Sequence, residues 1–207
     1  MPGPVPLFLN GFDVEPIILA SKSLNRRNLL TQVKIPFKVL PPKVDEERII
    51  GGDIVGRVEA LAKAKVKSVL PYISDDSYRW VVGFDTLIEV EGQVLGKPAN
   101  RTEAKSTLEI LAGKAHRVIT GVALLPRRNA KIILDSCTSL VYFNPMGEEE
   151  IEYYLNTEEW QGAAGGYRIQ ETGAFYINSI EGSYSNVVGL PLSNLYGMLR
   201  NAGYSFA

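Results

Sequence analysis

Apolar and polar positions along this chain follow two periods, and the switches between them mark out the elements. Pro16-Ile-Ile-Leu-Ala20 is an unbroken apolar run, the pattern of a buried strand. Ser21-Lys-Ser23 breaks it, and Ser23 stands where a helix N-cap belongs, so the spacing predicts a helix over about residues 24–33. Phe37-Lys-Val-Leu-Pro41 reads as a second strand. From Val55 to Leu70 the period turns helical, with Val58, Leu61, Ala62 and Val66 on one side. Residues 80–90 and 93–96 predict an extended pair folded around Glu91-Gly92. Asn100-Arg-Thr-Glu103 has the form of a capping box, opening a helix that carries Ala104, Leu108 and Leu111 inward and ends at Gly113. Two long strands follow at about 116–125 and 131–143, joined at Pro126-Arg-Arg-Asn129, whose arginine pair suits a solvated tip. Glu148 to Leu155 predicts a helix with an acidic start, and a last helix begins near Pro191 with Leu195, Met198 and Leu199 inward. Interspersed strands and helices with one long hairpin predict a mixed α/β fold with antiparallel pairing in its sheet. Residues 1–15 carry three prolines and no clear period, and read as a loose N-terminal extension before a single domain, residues 16–207.

Composition changes this picture little. A chain of 207 residues, 45% hydrophobic and 22% charged, suits one sizeable globular unit. A net charge of −1 argues against broad electrostatic binding to nucleic acid. The single cysteine, Cys137, excludes a disulfide framework and a cysteine-rich zinc site, and its apolar stretch from Ile132 to Val141 suggests a small core residue. No apolar run has the length of a membrane span and no signal peptide is visible, so the expected location is cytoplasmic, with no membrane partner.

Several residues carry candidate chemistry. A helix N-terminus offers unpaired N–H groups to an anion, and Ser21, Ser23, Arg26 and Arg27 add donors in the same turn; an ordinary capped helix with surface arginines is the alternative. Asp85, closing the buried run Val81-Val-Gly-Phe84 and followed by Thr86, is placed to hold a metal ion or activate water, or simply to cap a turn. Asp45-Glu46 is a second acidic site, and Lys65 (with Lys63 as its confusable neighbour) and Lys97 supply positive charge. Gln170 ends Gly166-Tyr-Arg-Ile and can donate and accept together, as a pyrimidine edge requires. His116, the only histidine, lacks partners for a zinc constellation and reads as structural. The tyrosines at 153, 154, 167, 176, 184, 196 and 204 read mostly as packing.

Taken in order, the Ser21–Arg27 turn, Gly83-Phe-Asp-Thr86, Gly96-Lys97-Pro98, Gly162–Gln170 and Ile180–Leu192 resemble the Maf family of nucleoside triphosphate pyrophosphatases, known also as septum formation proteins; the resemblance spans about residues 16–204. It implies an elongated α/β fold with a mixed central sheet, two lobes and a cleft, similar to the inosine triphosphate pyrophosphatases and often dimeric. It implies hydrolysis of a triphosphate to the monophosphate and pyrophosphate, with Asp85 as proton acceptor, and Asp85 and Glu46 as ligands of a divalent metal (magnesium, manganese or cobalt). Lys65 and Lys97 would be catalytic, Ser21, Ser23, Arg26 and Arg27 would hold phosphate, and Arg26, Thr86 and Gln170 would mark the branch selective for dTTP and UTP. A purine-directed housecleaning enzyme, acting on inosine or methylated guanosine triphosphate, and a non-catalytic nucleotide-binding regulator of septum formation are the alternatives. Two departures from the family pattern stand out. Phe84 replaces a usual alanine and is expected to narrow the pocket beside the carboxylate, and Ala163 stands where a lysine is usual, after Glu158-Glu-Trp160 in place of a Gly-Glu-Pro turn.

Overall fold

The computed structural model describes residues 14–49, 52–74, 78–126 and 131–206. The predicted Arg127-Arg128 tip and residues 1–13 of the predicted extension lie outside the described residues. Strands β1 (Ile17–Ala20), β2 (Phe37–Val39), β3 (Trp80–Val90), β4 (Gln93–Leu95), β5 (Ala115–Pro126), β6 (Ile133–Phe143) and β7 (Ile177–Glu181) form one sheet ordered β2-β1-β3-β5-β6-β7, with β4 on β3. β1 runs parallel to β2 and β3, and the remaining pairs are antiparallel, which makes the mixed sheet expected from the pattern. Helices α1 (Leu24–Gln32), α2 (Ile54–Val69), α3 (Arg101–Leu111), α4 (Glu148–Asn156), α5 (Tyr184–Val188) and α6 (Leu192–Asn201) flank it.

The alternation of β3 divides the core. Val81 faces α2 with Ala62, Val66 and Val69, whereas Val82 and Phe84 face the opposite side with Leu29, Leu30, Leu195 and Leu199 from α1 and α6. A third cluster begins beyond Thr86, where Ile88 and Val90 meet Leu108, Leu111, Tyr154 and Leu155 from α3 and α4. β3, β5 and β6 run through both halves. Burying Phe84, Leu30, Leu124 and Leu199 completely contributes on the order of 2 kcal/mol for each side chain.

Gly83 and Gly121 allow α2 to lie directly on the sheet. A Cβ on Gly83 would come within 2.8 Å of the Ala62 carbonyl, and one on Gly121 would overlap the Val58 backbone. Only residues without side chains permit that approach.

The pairing of β3 leaves an opening. Ala20, the last residue of β1, aligns with Gly83, and β4 begins its pairing at Ile88. Among the described residues, β3 therefore has no strand neighbour on this edge over residues 84–87.

Two expectations change. Cys137 is only half-buried, because the first half of β6 lies past the end of β7 with Ile133 and Leu134 exposed. Phe84 is fully buried on the face opposite Asp85, so strand alternation keeps its ring from narrowing the carboxylate's surroundings.

Candidate active site

The open edge of β3 carries adjacent residues with opposite aims. Asp85 points toward α2 and Thr86 toward α1 and α5, so chemistry gathers on both faces of one strand.

On the α2 face, Lys65 is the centre. Its Nζ lies 2.5 Å from Asp85 Oδ1 and 2.9 Å from Glu46 Oε1, joining two carboxylates from separate segments. Helical spacing places Lys65 on the buried stripe with Leu61, Ala62 and Val66, while Lys63 lies off it, so Lys65 is the lysine that meets the two carboxylates. α2 is fixed by Asp53, whose Oδ1 accepts from Gly56 N at 2.8 Å, and by the close approach at Gly83 and Gly121. Glu46 sits at the start of a short 3-10 turn, Glu46–Arg48. Burial pushes the Glu46 carboxyl pKa upward, but the hydrogen bond and charge of Lys65, with the charges of Lys97 and Arg26, bring it below the ordinary value. Asp45 turns instead to an exposed pair with Arg48. Lys97 is exposed, next to Pro98. Its loop is held by Gly165, whose N–H donates to the Gly96 carbonyl at 2.9 Å, and by Gly166, where a Cβ would stand 3.4 Å from Pro98 Cγ. Both glycines take positive φ; Gly166 approaches the Lys97 loop, whereas a Cβ on Gly165 would meet Ile88 Cδ1 of β3 at 2.5 Å.

On the other face, Arg26 is the organiser. Ser23 caps α1 through its Oγ, and Ser21, buried at the end of β1, accepts from Ser23 N at 3.1 Å. From the first turn of α1 Arg26 donates Nε to the Gly189 carbonyl at 2.7 Å, Nη1 to Ser21 Oγ at 3.4 Å and Nη2 to Thr86 Oγ1 at 3.1 Å. Its guanidinium lies 5.8 Å from the Phe84 ring centre. Burial lowers its pKa, opposed by the charges of Asp85 and Glu46. Gly189 ends α5 at φ 109°, and a Cβ there would stand 3.4 Å from Thr86 Oγ1. Thr86 pairs across the strands with Thr120, their hydroxyls 2.9 Å apart. Thr120 Oγ1 lies 3.4 Å from the Asn186 carbonyl, and the Asn186 amide donates at 3.0 Å to both Val118 O and Ser139 Oγ.

The structure thus joins Glu46, Lys65 and Asp85 into one cluster and Ser21, Ser23, Arg26 and Thr86 into another, on opposite faces of residues 85–86. Gln170 is exposed in a turn and lines a groove of about 210 Å³ with Asn25, Asn28, Tyr184 and Val188, and the structure joins it to neither cluster. Arg27 Nε is buried and without a hydrogen-bond partner. A larger groove of about 380 Å³, lined by Val33, Ile35, Leu192, Leu195 and Phe206, has no charged side chain and lies outside this chemistry. His116 is structural: it is buried, with Nε2 2.8 Å from Tyr167 Oη. Among the described residues, no three histidine, cysteine or acidic side chains gather as metal ligands.

Sequence reasoning did not single out Thr120, Asn186 or Gly189. A threonine inside the apolar run Val118–Leu125 is a buried polar group that needs a partner, and this is the signal that would have found it.

A family description, "Maf-like protein", matches residues 16–202. A protein of Symbiobacterium thermophilum named dTTP/UTP pyrophosphatase is 43% identical over 195 residues, covering 92% of this chain and 96% of its own length. One of the same name from Pelotomaculum thermopropionicum is 40% identical over 189 residues, covering 91% and 97%. Among solved structures, the Staphylococcus aureus Ham1 protein aligns with TM-score 0.52 and 13% identity over 90% of this chain and 99% of that one, a likeness of fold.

Proposed function

The chain belongs to the Maf family, and from that premise we propose that it hydrolyses dTTP and UTP to the nucleoside monophosphate and pyrophosphate. The observation that carries the reading is the pair of clusters on opposite faces of Asp85-Thr86, at the edge left open between β1 and β4. Crevices beyond the carboxyl ends of parallel strands are where open α/β sheets take ligands. A triphosphate lying across this edge meets Lys65, Lys97 and the α1 N-terminus, while its base reaches Arg26, Thr86 and Gln170.

Water attacks the α-phosphorus and the bond to the bridging oxygen of pyrophosphate breaks; Asp85, held by Lys65, receives the water's proton. Ser21 and Ser23 order the anion-binding turn, and Arg27 adds charge to it. Glu46 and Asp85 come from separate segments and offer hard oxygen ligands, a donor set that suits magnesium or manganese completed by substrate phosphates. Such an ion would be held by Glu46 and Asp85 and would supply positive charge to the substrate's phosphates. Residues 16–207 act as one unit in this reading, and the enzyme works without nucleic acid or membrane, as a homodimer in the cytoplasm.

The test is pyrophosphate release from a panel of triphosphates with magnesium, manganese or cobalt. Release chiefly from dTTP and UTP supports the reading. Release chiefly from inosine or methylated guanosine triphosphate sinks the base assignment, and binding of a triphosphate without turnover favours the regulator.

A further inference from the structure

Thr86 presents a single hydroxyl beside the open edge, and its hydrogen-bond budget is nearly spent inside the protein. Arg26 Nη2 occupies one lone pair from 3.1 Å. Thr120, fully buried and directly across the β3–β5 pair, stands 2.9 Å away. A hydroxyl has one hydrogen and two lone pairs, so the direction of the Thr86–Thr120 bond decides what Thr86 can offer a ligand. If Thr120 donates its hydrogen to the Asn186 carbonyl at 3.4 Å, Thr86 must donate to Thr120. Thr86 then keeps one free lone pair and shows the substrate an acceptor. If Thr120 donates to Thr86 instead, both Thr86 lone pairs are filled and its hydrogen turns outward. That second arrangement gives up the bond to Asn186 and demands an acceptor from the ligand. The first satisfies both hydroxyl hydrogens within the protein and contains one more bond.

The acceptor of that relay is fixed. Asn186 is fully buried on the five-residue α5, tied to β5 and β6 through Val118 O and Ser139 Oγ. Its carbonyl also receives Gly189 N–H at 2.8 Å, which sets the corner whose own carbonyl accepts Arg26 Nε. One short helix therefore holds both the guanidinium and the far end of the hydroxyl chain.

We propose that Thr120 is a positioning residue that fixes the Thr86 hydroxyl as an acceptor toward ring N3 of the base, making the site favour a base that carries hydrogen at N3 over one whose N3 is bare. Thymine and uracil offer that N–H at N3; cytosine presents a lone pair there. The proposal rests on the pyrimidine triphosphate reading above and supplies the source of discrimination within that class. Thr120 touches no substrate itself.

The experiment compares kcat/KM for dTTP, dCTP and N3-methyl-dTTP in wild type, Thr120→Val and Thr120→Ser, with circular dichroism and melting curves alongside. Wild type is expected to discriminate against both dCTP and N3-methyl-dTTP. In Thr120→Val the Thr86 hydrogen is released to turn either way, and the dTTP:dCTP ratio falls about tenfold, mostly through KM, the size of one hydrogen-bond preference. Thr120→Ser restores the wild-type ratio. An unchanged ratio in a folded Thr120→Val protein overturns the proposal, as does wild-type turnover of N3-methyl-dTTP equal to that of dTTP. Should Thr120→Val fail to fold, the N3-methyl arm and Thr120→Ser still decide: equal use of the methylated base, or a shifted ratio in the serine variant, refutes it. A wild type that prefers purine triphosphates fails the base assignment itself, a result distinct from all of these.

Discussion

At the scale of single residues, two side chains make opposite demands on buried charge. Lys65 joins Asp85 and Glu46, and on the proposed reaction Asp85→Asn keeps the side chain's shape and removes the proton acceptor. Pyrophosphate release should fall by about 10²- to 10⁴-fold while far-ultraviolet circular dichroism stays unchanged; turnover within a few-fold of wild type would remove Asp85 from the reaction. His116 works through stability alone. Burial lowers its pKa from 6.5 to about 4, so the unfolded chain takes up a proton at a pH where the folded one does not. Its stabilising contribution is complete above pH 6.5, shrinks as the pH falls, and is fully lost near pH 4. From pH 7 to pH 5 that loss is about 2 kcal/mol. His116→Phe should therefore show a smaller drop in urea-unfolding free energy over this interval than wild type, and equal drops would refute it. Both residues were visible in the sequence as chemical types. Their partners were not: nothing near Lys65 in the chain points to Glu46, and only the α2 stripe separates it from Lys63.

At the scale of elements, long periodic segments were legible and short ones held by tertiary contacts were not. The buried run of β1, the capped α1, the stripe of α2, the α3 capping box and the β5–β6 hairpin all stand where hydrophobic spacing places them. α5 escaped notice because Tyr-Ser-Asn-Val-Val is a poor helix former; it exists through the Ser183 cap and the anchoring of Asn186. β7 is a short edge strand with an exposed centre, too brief for its alternation to stand out. The position of α2 has a sharp test in Gly121, which pairs with Asp85 and lies against the Val58 backbone. Gly121→Ala must push α2 outward. The expected cost is about 1–3 kcal/mol in unfolding free energy, with loss of turnover greater than the stability change explains, since Lys65 rides on the same helix. A variant as stable and active as wild type would mean the helix yields freely.

At the scale of the whole molecule, the open stretch of β3 falls at the boundary between the core clusters, with α1, α2 and α6 packed on one side of it and α3 and α4 on the other. Ligand bridging that boundary adds its binding free energy to folding. Saturating the non-hydrolysing Asp85→Asn protein with dTTP at about one hundred times its Kd should stabilise it by about 2.7 kcal/mol, read as a rise in Tm. Chelation of divalent ions should abolish wild-type turnover and leave the ligand-free Tm nearly unchanged, because Lys65 already pairs with Glu46 and Asp85 in their absence. A large fall in Tm on chelation would instead make the metal structural. The sequence announced this division only through resemblance, for hydrophobic spacing locates faces of elements and carries no signal about where a sheet loses a neighbour.

The bond from Arg26 Nε to the Gly189 carbonyl joins positions 163 residues apart. During synthesis at about 5–20 residues per second, on the order of ten to thirty seconds separate the making of these two ends. The first serines and arginines leave the ribosome long before the corner that orients them exists. A nascent chain therefore carries Asp85 and Lys65 well before Gly189 is made, and the Arg26 corner closes only as one of the final acts of folding.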